Sequence, residues 1–249
     1  MAEKGKLIGI GVGPGDSELL TLKAAKILET VPVVCSPKSS KEKESIALSI
    51  VRPLLEERKD YKRLMVVEPI FPMTEDKEEL NICWDRAAFL VSSYLDSGRD
   101  VAFITLGDPS IFSTFSYVQE RLKEKYTVET VPGITSFTAC ASAINESLVE
   151  QNQVLTIVPK IDDRLDDILE YSDSVVLMKA SRNTKELEQS IESKNREKKI
   201  YSVENCTQEN EKVIEGFSED KPYLTTTSRR PSGLRETTLD PNSLDPRLA

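Results

Sequence analysis

Short apolar segments alternate with amphipathic segments along the first 110 residues, and this alternation constrains the fold more than any other feature. The apolar segments have the length of buried strands and comprise residues 7–11, 31–35, 64–67 and 101–106. The amphipathic segments repeat their apolar positions at helical spacing and comprise residues 16–28, 41–58 and 74–98. Strands that alternate with helices form a mostly parallel sheet covered on both faces, so the sequence predicts an α/β fold.

The alternation continues less regularly through the second half of the chain. Strands are expected at residues 127–131, 154–158, 175–178 and 200–203, and helices at residues 136–144, 164–171 and 183–193. We place a domain boundary near Ile111, because the Gly107–Asp108–Pro109 turn breaks the chain there. This boundary gives an N-terminal α/β domain over 1–111, a C-terminal α/β domain over 112–229, and a polar, aperiodic tail over 230–249 that is expected to be irregular.

Composition excludes several classes of function. The chain has 249 residues and a net charge of −9, which opposes the binding of phosphate backbones and argues against a nucleic-acid partner. Its apolar runs stay well below the ~18 residues of a membrane span, and residues 7–12 are too short for a signal peptide, so a cytoplasmic protein without a membrane partner is expected. The chain contains no histidine, which excludes a Ser-His-Asp triad, histidine-ligated metal and histidine base catalysis. Its four cysteines form no CxxC pair, and no metal site is predicted.

A glycine-rich turn follows the first strand, between Gly9 and Asp16, and reads GIGVGPGD. Its spacing rejects a dinucleotide fingerprint, because the third glycine of that pattern falls on Pro14 or on Asp16. A phosphate-binding GK[ST] loop is also excluded, since no such triplet follows. The turn could be a tight connection from strand to helix. It could also seat an anion on the helix N-terminus, although Asp16 would oppose an anion there.

Three further polar turns follow predicted strands. They are TLGDPS at 105–110, VPGITS at 131–136, and YSVENCT at 201–207. Each one alone is as compatible with an ordinary turn as with a ligand site. In open α/β sheets, however, ligands bind beyond the carboxyl ends of the strands, where these turns lie. A glycine lets a ligand approach the main chain, and Asp108 could accept hydrogen bonds from a ligand.

This ordered set of turns resembles the tetrapyrrole methylase superfamily over most of the chain, from about Gly5 to Glu215. The segments KLIGIGVGPGDSELLTLKA, VAFITLGDPSIFSTFSY and VPGITSFTA, together with the Pro37–Ser39 segment, are most similar to precorrin-2 or cobalt-precorrin-2 C-20 methyltransferases. The resemblance implies two α/β domains, a methyl-donor cleft between them, and a homodimer. It implies C-20 methylation in cobalamin biosynthesis, with S-adenosylmethionine as the methyl donor.

The resemblance also implies where the ligands bind. S-adenosylmethionine would lie against Leu106, Gly107 and Asp108, and its pocket would be completed by Ile111, Ser136, Phe137, Met178, Asn205 and Cys206. The glycine-rich turn, with Pro14 and Asp16, would face the tetrapyrrole. Asp16 is the candidate base that removes a proton from the methylated carbon, although its other role is to cap the first helix. Lys38 and Arg86 are candidates for binding substrate carboxylates, and Arg86 is equally compatible with a solvated surface side chain.

Three alternatives remain open. The chain could be another tetrapyrrole methylase, such as a uroporphyrinogen or other precorrin methyltransferase or a diphthine synthase. It could be a catalytically inactive binding module, because residues 223–230 are more polar than the apolar strand that usually ends this family's second domain. A nucleotide-binding oxidoreductase is disfavoured by the failed glycine spacing.

Overall fold

The computed structural model describes residues 3–178, 198–217 and 226–231, with the backbone alone for 198 and 226–231. Its ten strands form two five-stranded sheets. The helix predicted at 183–193 and the tail from residue 232 onward lie outside the described residues. Within the described stretches, no helix has the length and apolar composition needed to cross a membrane.

The first sheet is entirely parallel and has the order β3-β2-β4-β1-β5. Its strands are β1 (Leu7–Gly11), β2 (Val33–Cys35), β3 (Met65–Val67), β4 (Val101–Thr105) and β5 (Val128–Val131). Because every pairing is parallel, the carboxyl ends of all five strands lie at one edge. The division of the chain near Ile111 stays a prediction, and the strand beyond it, β5, pairs with β1 in this first sheet.

Helices cover both faces of the first sheet, as the alternating pattern predicts. Alternate strand residues such as Ile10 and Ile104 pack with α1 (Leu22–Leu28) and α2 (Ile46–Glu56). Their neighbours, such as Phe103, pack with α3 (Lys77–Asp96) and α4 (Phe115–Leu122) on the other face. The inner strands β1, β2 and β4 are therefore buried on both sides, which explains why their sequences are continuously apolar and do not alternate with polar residues.

The helical segment predicted from Asp16 is divided in two. Asp16 caps a single 3₁₀ turn over Ser17–Leu19, Leu20 is extended, and Thr21 then caps α1. Leu22, the first residue of α1, is 81% exposed and lies outside the buried face of the helix. The third predicted helix also begins later than expected, since Asp76 rather than Thr74 receives the backbone N–H groups of Glu78 and Glu79.

The second sheet is mixed and has the order β6-β7-β10-β8-β9. Its strands are β6 (Leu155–Val158), β7 (Ser174–Met178), β8 (Lys198–Glu204), β9 (Lys212–Glu215) and β10 (Thr226–Pro231). Strand β10 is antiparallel to both β7 and β8, so β7 and β8 run in the same direction. Helix α5 (Ser136–Ala143) lies between β5 and β6 in the chain, and helix α6 (Leu165–Tyr171) lies between β6 and β7.

Strand β10 corrects an expectation drawn from polarity. The segment that ends at Arg230 is polar, yet Thr226–Pro231 is the central strand of the second sheet. A strand between two neighbours is held by main-chain hydrogen bonds on both edges, and the β-branched side chain of threonine suits extended backbone. Arg230 and Pro231 therefore belong to the sheet and not to an irregular tail.

Three turns at the carboxyl edge of the first sheet pack directly against one another. Gly13 and Gly107 exchange main-chain hydrogen bonds, at 2.8 Å from Gly107 N to Gly13 O and 3.3 Å in return. A Cβ atom added to Gly133 would lie 2.2 Å from the Gly107 carbonyl oxygen and 2.7 Å from Gly11 Cα. These distances are far below van der Waals contact, so glycine is required there for its size.

We expect Gly133→Ala to destabilise the protein by about 3 kcal/mol or more, because its methyl group would collide with rigid main chain of two other turns. The measurement is the free energy of unfolding in urea. Gly216→Ala is the matched control: Gly216 has a φ of +96° and nothing within 4 Å of an added Cβ, so left-handed strain of about 1 kcal/mol is its whole expected cost. A loss at Gly133 no larger than at Gly216 would contradict the packing argument.

Candidate active site

The carboxylate of Asp108 fastens two of the three turns together. Its Oδ1 accepts hydrogen bonds from the backbone N–H of Ser110 at 2.8 Å and from the Ser110 hydroxyl, while its Oδ2 accepts from Gly133 N at 2.9 Å. Burial raises the pKa of this carboxyl, but the hydrogen bonds from Ser110 and Gly133 outweigh it and leave the pKa below its usual value. Asp108 is therefore ionised, and its hydrogen bonds hold the conformation of the turn.

Gly107, beside this hydrogen-bonded carboxylate, is buried but leaves space next to its main chain. It has a left-handed φ of +69°, and the nearest atom to an added Cβ is the Ile134 carbonyl oxygen at 4.0 Å. Leu106 and Ile111 flank the turn and are half-buried. A group could therefore approach the main chain at Gly107 and contact apolar side chains on either side.

The turn after β8 carries strained backbone. Asn205 and Thr207 adopt left-handed φ values of +49° and +64°, which are uncommon for residues other than glycine. Cys206, between them, is buried against Ala139, Cys140 and Val203. Its hydrogen bond with the Cys140 thiol and its burial raise the pKa of Cys206, so this thiol stays protonated and packs as a small apolar group.

The glycine-rich turn of the first sheet meets this β8 turn. The backbone N–H of Asp16 donates to Thr207 Oγ1 at 3.0 Å. A Cβ atom on Gly15 would lie 2.7 Å from Gln208 Cγ and 3.0 Å from the Cys206 carbonyl oxygen. Asn205 and Cys206 are thus brought to the carboxyl edge of the first sheet, although they belong to the second.

Three more of the predicted pocket residues lie at the ends of elements. Ser136 and Phe137 are the first two residues of α5, and Met178 is the last residue of β7. Ser136 is half-buried and Phe137 is 7% exposed, and both lie directly after the Gly133 turn. Met178 pairs with Thr226, which pairs in turn with Val203 of β8. The structure therefore places Ser136 and Phe137 beside the Gly133 turn and Met178 two strands from Val203, while their contacts with a ligand stay predictions.

The candidates for substrate binding and catalysis are more dispersed. Pro14 is buried within the glycine-rich turn, and Asp16 is half-buried with its carboxylate accepting from Glu18 N at 2.8 Å. Asp16 caps the 3₁₀ turn Ser17–Leu19 and not α1, which Thr21 caps, while its role as a base stays a prediction. Lys38 lies beyond β2 at the same edge, with its Nζ 3.5 Å from Glu68 Oε2. Arg86 is exposed on α3, and in the part of the chain described here no contact joins it to the turns.

Thr207 is a site residue that sequence reasoning missed. The YSVENCT turn drew attention to its neighbours, yet the hydroxyl that receives the Asp16 N–H lies 191 positions away along the chain. Ser113 was missed too: its hydroxyl donates to Thr105 Oγ1 at 2.9 Å and accepts from Phe115 N at 3.1 Å. The Asp16–Thr207 contact is too distant in sequence to leave a local signal. The Ser113 contacts are local, and a serine two residues before Phe115 was a signal that could have been used.

Metal-binding chemistry finds no support among the described residues. No group of three or more cysteine, aspartate or glutamate side chains is arranged to hold an ion there. The four cysteines are free thiols, and three of them are buried.

Comparison with known proteins identifies the family. The family model described as Tetrapyrrole (Corrin/Porphyrin) Methylases matches residues 6–222. A probable cobalt-precorrin-2 C(20)-methyltransferase of Methanocaldococcus jannaschii is 39% identical over 228 residues, which cover 88% of this chain and 93% of that protein. The cobalt-precorrin-2 C(20)-methyltransferase of Salmonella typhimurium is 34% identical over 70% of this chain and 73% of its own length.

Solved structures share the fold at lower identity. A cobalt precorrin-4 methyltransferase superposes with a TM-score of 0.65 at 20% identity, covering 90% of this chain and 94% of that one. A uroporphyrin-III C-methyltransferase of Thermus thermophilus, in complex with S-adenyl homocysteine, superposes with a TM-score of 0.62 at 20% identity, covering 91% and 97%. The two-domain α/β architecture predicted from the sequence is confirmed by these neighbours.

We expect Asp108→Asn to lower the free energy of unfolding by about 1–3 kcal/mol at pH 7, because an amide cannot accept from both turns without placing N–H groups against N–H groups. Asp163→Asn, at an exposed aspartate, is the control and should change stability by less than about 0.5 kcal/mol.

The Asp108 effect has a definite pH dependence. A carboxyl group whose pKa is lower in the folded protein than in the unfolded chain stabilises the fold at pH values above its pKa in the unfolded chain. This stabilisation is lost as the pH falls through the pKa that the group has in the folded protein. Urea unfolding from pH 7 to pH 2 should therefore show the gap between wild type and Asp108→Asn shrinking below about pH 4. A constant gap across this range would mean that Asp108 is not held as a hydrogen-bonded carboxylate.

Proposed function

The chain belongs to the tetrapyrrole methylase family and is an S-adenosylmethionine-dependent methyltransferase, and from this premise we propose that it methylates carbon 20 of precorrin-2 or cobalt-precorrin-2 in cobalamin biosynthesis. The observation that carries the proposal is the 39% identity to the Methanocaldococcus protein, which extends over nearly the whole of both chains. A precorrin-2 C(20)-methyltransferase of Sinorhizobium, 28% identical over 88% of this chain, supports the same carbon with the metal-free acceptor.

The residues around Gly107 fit the methyl donor. The Gly107 turn has a left-handed main chain with space beside it, Leu106 and Ile111 offer apolar contacts, and the half-buried Ser136 offers a hydroxyl. Phe137 and Met178 would add apolar surface, and Asn205 and Cys206 would complete the adenosine side. S-adenosylmethionine supplies a methyl group that its sulfonium already activates toward nucleophiles.

The protein's own contribution is to position the acceptor and exclude water. Three fastened turns give a rigid wall at the carboxyl edge of the first sheet, and the β8 turn closes against it through Thr207. Holding two reactants in line can lower a barrier by about 7–11 kcal/mol. This chemistry needs no histidine, which agrees with a chain that contains none.

Asp16 is the proposed base for the proton that leaves carbon 20 after methylation. Its carboxylate is half-buried at the glycine-rich turn, and one of its oxygens accepts from Glu18 N at 2.8 Å. The second carboxylate oxygen has further acceptor capacity. Asp16 would take the proton there, while Pro14 and Lys38 bind the acceptor.

Assembly and location extend this proposal. A homodimer in the cytoplasm, with a tetrapyrrole substrate and no nucleic-acid partner, agrees with the family and with the net charge of −9. Cobalt, where present, would be part of the acceptor, since the described residues offer no ligand set for it.

We expect S-adenosylhomocysteine to bind with micromolar affinity in isothermal titration, and Gly107→Trp to abolish the binding, because the indole would fill the space above the turn. Gly216→Trp is the matched control, since it carries similar left-handed strain in open surroundings and should bind as wild type does. Thermal melts establish that each variant is folded. An absence of binding by folded wild-type protein would favour the inactive binding module, and equal losses in both variants would remove the donor from Gly107.

Turnover tests the acceptor and the base together. Wild-type protein should transfer a ¹³C-methyl group to carbon 20 of cobalt-precorrin-2 or precorrin-2, as read by NMR, and leave uroporphyrinogen III unmethylated. Asp16→Asn should lower kcat by about a hundredfold or more if the carboxylate is the base, while the cap is kept because asparagine also caps helices well. Asp76→Asn, at the cap of α3, is the control. Unchanged turnover in Asp16→Asn would confine Asp16 to capping.

A further inference from the structure

A cavity of about 430 Å³ lies between α2 and β3, away from Gly107. Its floor is apolar and formed by Leu48, Leu55 and Val66. Its rim carries four cationic side chains, which we call the basic rim: Lys38, Lys41, Lys43 and Arg52. In a chain with a net charge of −9, a cluster of four cations around one cavity is a local reversal of sign.

The basic rim is only partly neutralised. Arg52 forms an ion pair with Glu44, and Lys38 lies 3.5 Å from Glu68. Lys41 and Lys43 are exposed, and neither forms an ion pair within the described part of the chain. These two ammonium groups are therefore available to an anionic ligand.

Glu42, the third carboxylate that lines the cavity, forms its hydrogen bonds within its own loop. Glu42 accepts hydrogen bonds from its own backbone N–H and from Ser40, which lower its pKa. It therefore stays ionised and is engaged locally, so the cavity keeps one positive charge in excess of its carboxylates. Lys41 and Lys43 flank Glu42 in the chain and line the same cavity.

The mouth of the cavity lies on the same edge of the sheet as the active-site turns. Lys38 follows β2 and Glu68 follows β3, and both strands are parallel to β1 and β4. Two strand spacings separate β4, which leads into the Gly107 turn, from β3, and this corresponds to about 10 Å. A ligand that reaches from the Gly107 turn to the basic rim must therefore be broad, apolar in its centre and anionic at its periphery.

We propose that the basic rim binds peripheral carboxylates of the tetrapyrrole acceptor, with Lys41 and Lys43 as the residues that orient the macrocycle and select for free carboxylates. This inference rests on the proposed function, because a tetrapyrrole with carboxylate side chains is the acceptor named there. The apolar floor takes the edge of a pyrrole ring, and the lysines meet the carboxylates beyond it. Flexible lysine side chains suit carboxylates whose positions differ between related acceptors.

The experiment measures binding separately from turnover. The probe is uroporphyrin III, titrated by fluorescence as the free acid and as its full methyl ester. The double variant Lys41→Glu/Lys43→Glu should weaken binding of the free acid by about tenfold and leave the ester unaffected. With cobalt-precorrin-2 as acceptor, KM should rise by a similar factor while kcat and S-adenosylhomocysteine binding hold.

Two further variants separate charge from loop structure. Lys4→Glu/Lys26→Glu makes the same change of net charge at exposed sites near the opposite edge of the first sheet, and should bind the free acid as wild type does. Lys41→Arg/Lys43→Arg keeps the charge and should retain most of the affinity. Wild-type affinity in Lys41→Glu/Lys43→Glu, or an equal loss in Lys4→Glu/Lys26→Glu, would overturn the inference.

The outcome also separates this inference from the proposed function. If wild-type protein methylates cobalt-precorrin-2 but the rim variants keep their KM, the basic rim is wrong and the function stands. If wild-type protein binds uroporphyrin III through the lysines yet methylates neither precorrin, the rim stands and the proposed acceptor is wrong.

Discussion

Three segments of main chain meet at Gly11, Gly107 and Gly133, and neither Gly11 nor Gly133 has room for a methyl group beside the others. This meeting point sets how closely the carboxyl ends of β4, β1 and β5 approach, and the Asp108 carboxylate holds it by accepting from two of the turns. The space beside Gly107, the start of α5 and the contact with the β8 turn all take their positions from it. The buried Asp108 carboxylate resists rearrangement of the turns, because separating Gly133 from it removes the hydrogen bond to Oδ2 and leaves that oxygen less well satisfied.

The inner strands of the first sheet could be predicted from the sequence because they are buried on both faces. Continuous apolar runs identify β1 and β4, and the capping residues and glycines between them mark the helices. Strand β10 could not be predicted in this way. Its stability comes from main-chain pairing with β7 and β8, and a central position in a sheet is decided by distant strands and not by the segment's own polarity.

The candidate site was predictable in its motifs but not in its connections. Glycine and aspartate in the 105–110 turn indicated a ligand site. In the structure, however, the Asp108 carboxylate accepts its hydrogen bonds from Ser110 and Gly133 of the protein itself. The contact of Asp16 with Thr207 joins residues that sequence spacing treats as unrelated. The chemistry of single residues can be inferred from their type, whereas the choice between a ligand and a protein partner depends on the folded neighbours.

The place of β10 in the second sheet has a consequence for the order in which the protein forms during synthesis. The first sheet is complete once residue 131 has left the ribosome, so it can assemble while the rest of the chain is still being made. The second sheet cannot close until residue 231 emerges, because β10 alone links the β6–β7 pair to the β8–β9 pair. The β6–β7 pair is complete at Met178, so its edge stays unpaired while about 50 further residues are made, which takes a few seconds. An unpaired strand edge favours aggregation, so the nascent chain is most vulnerable during this interval.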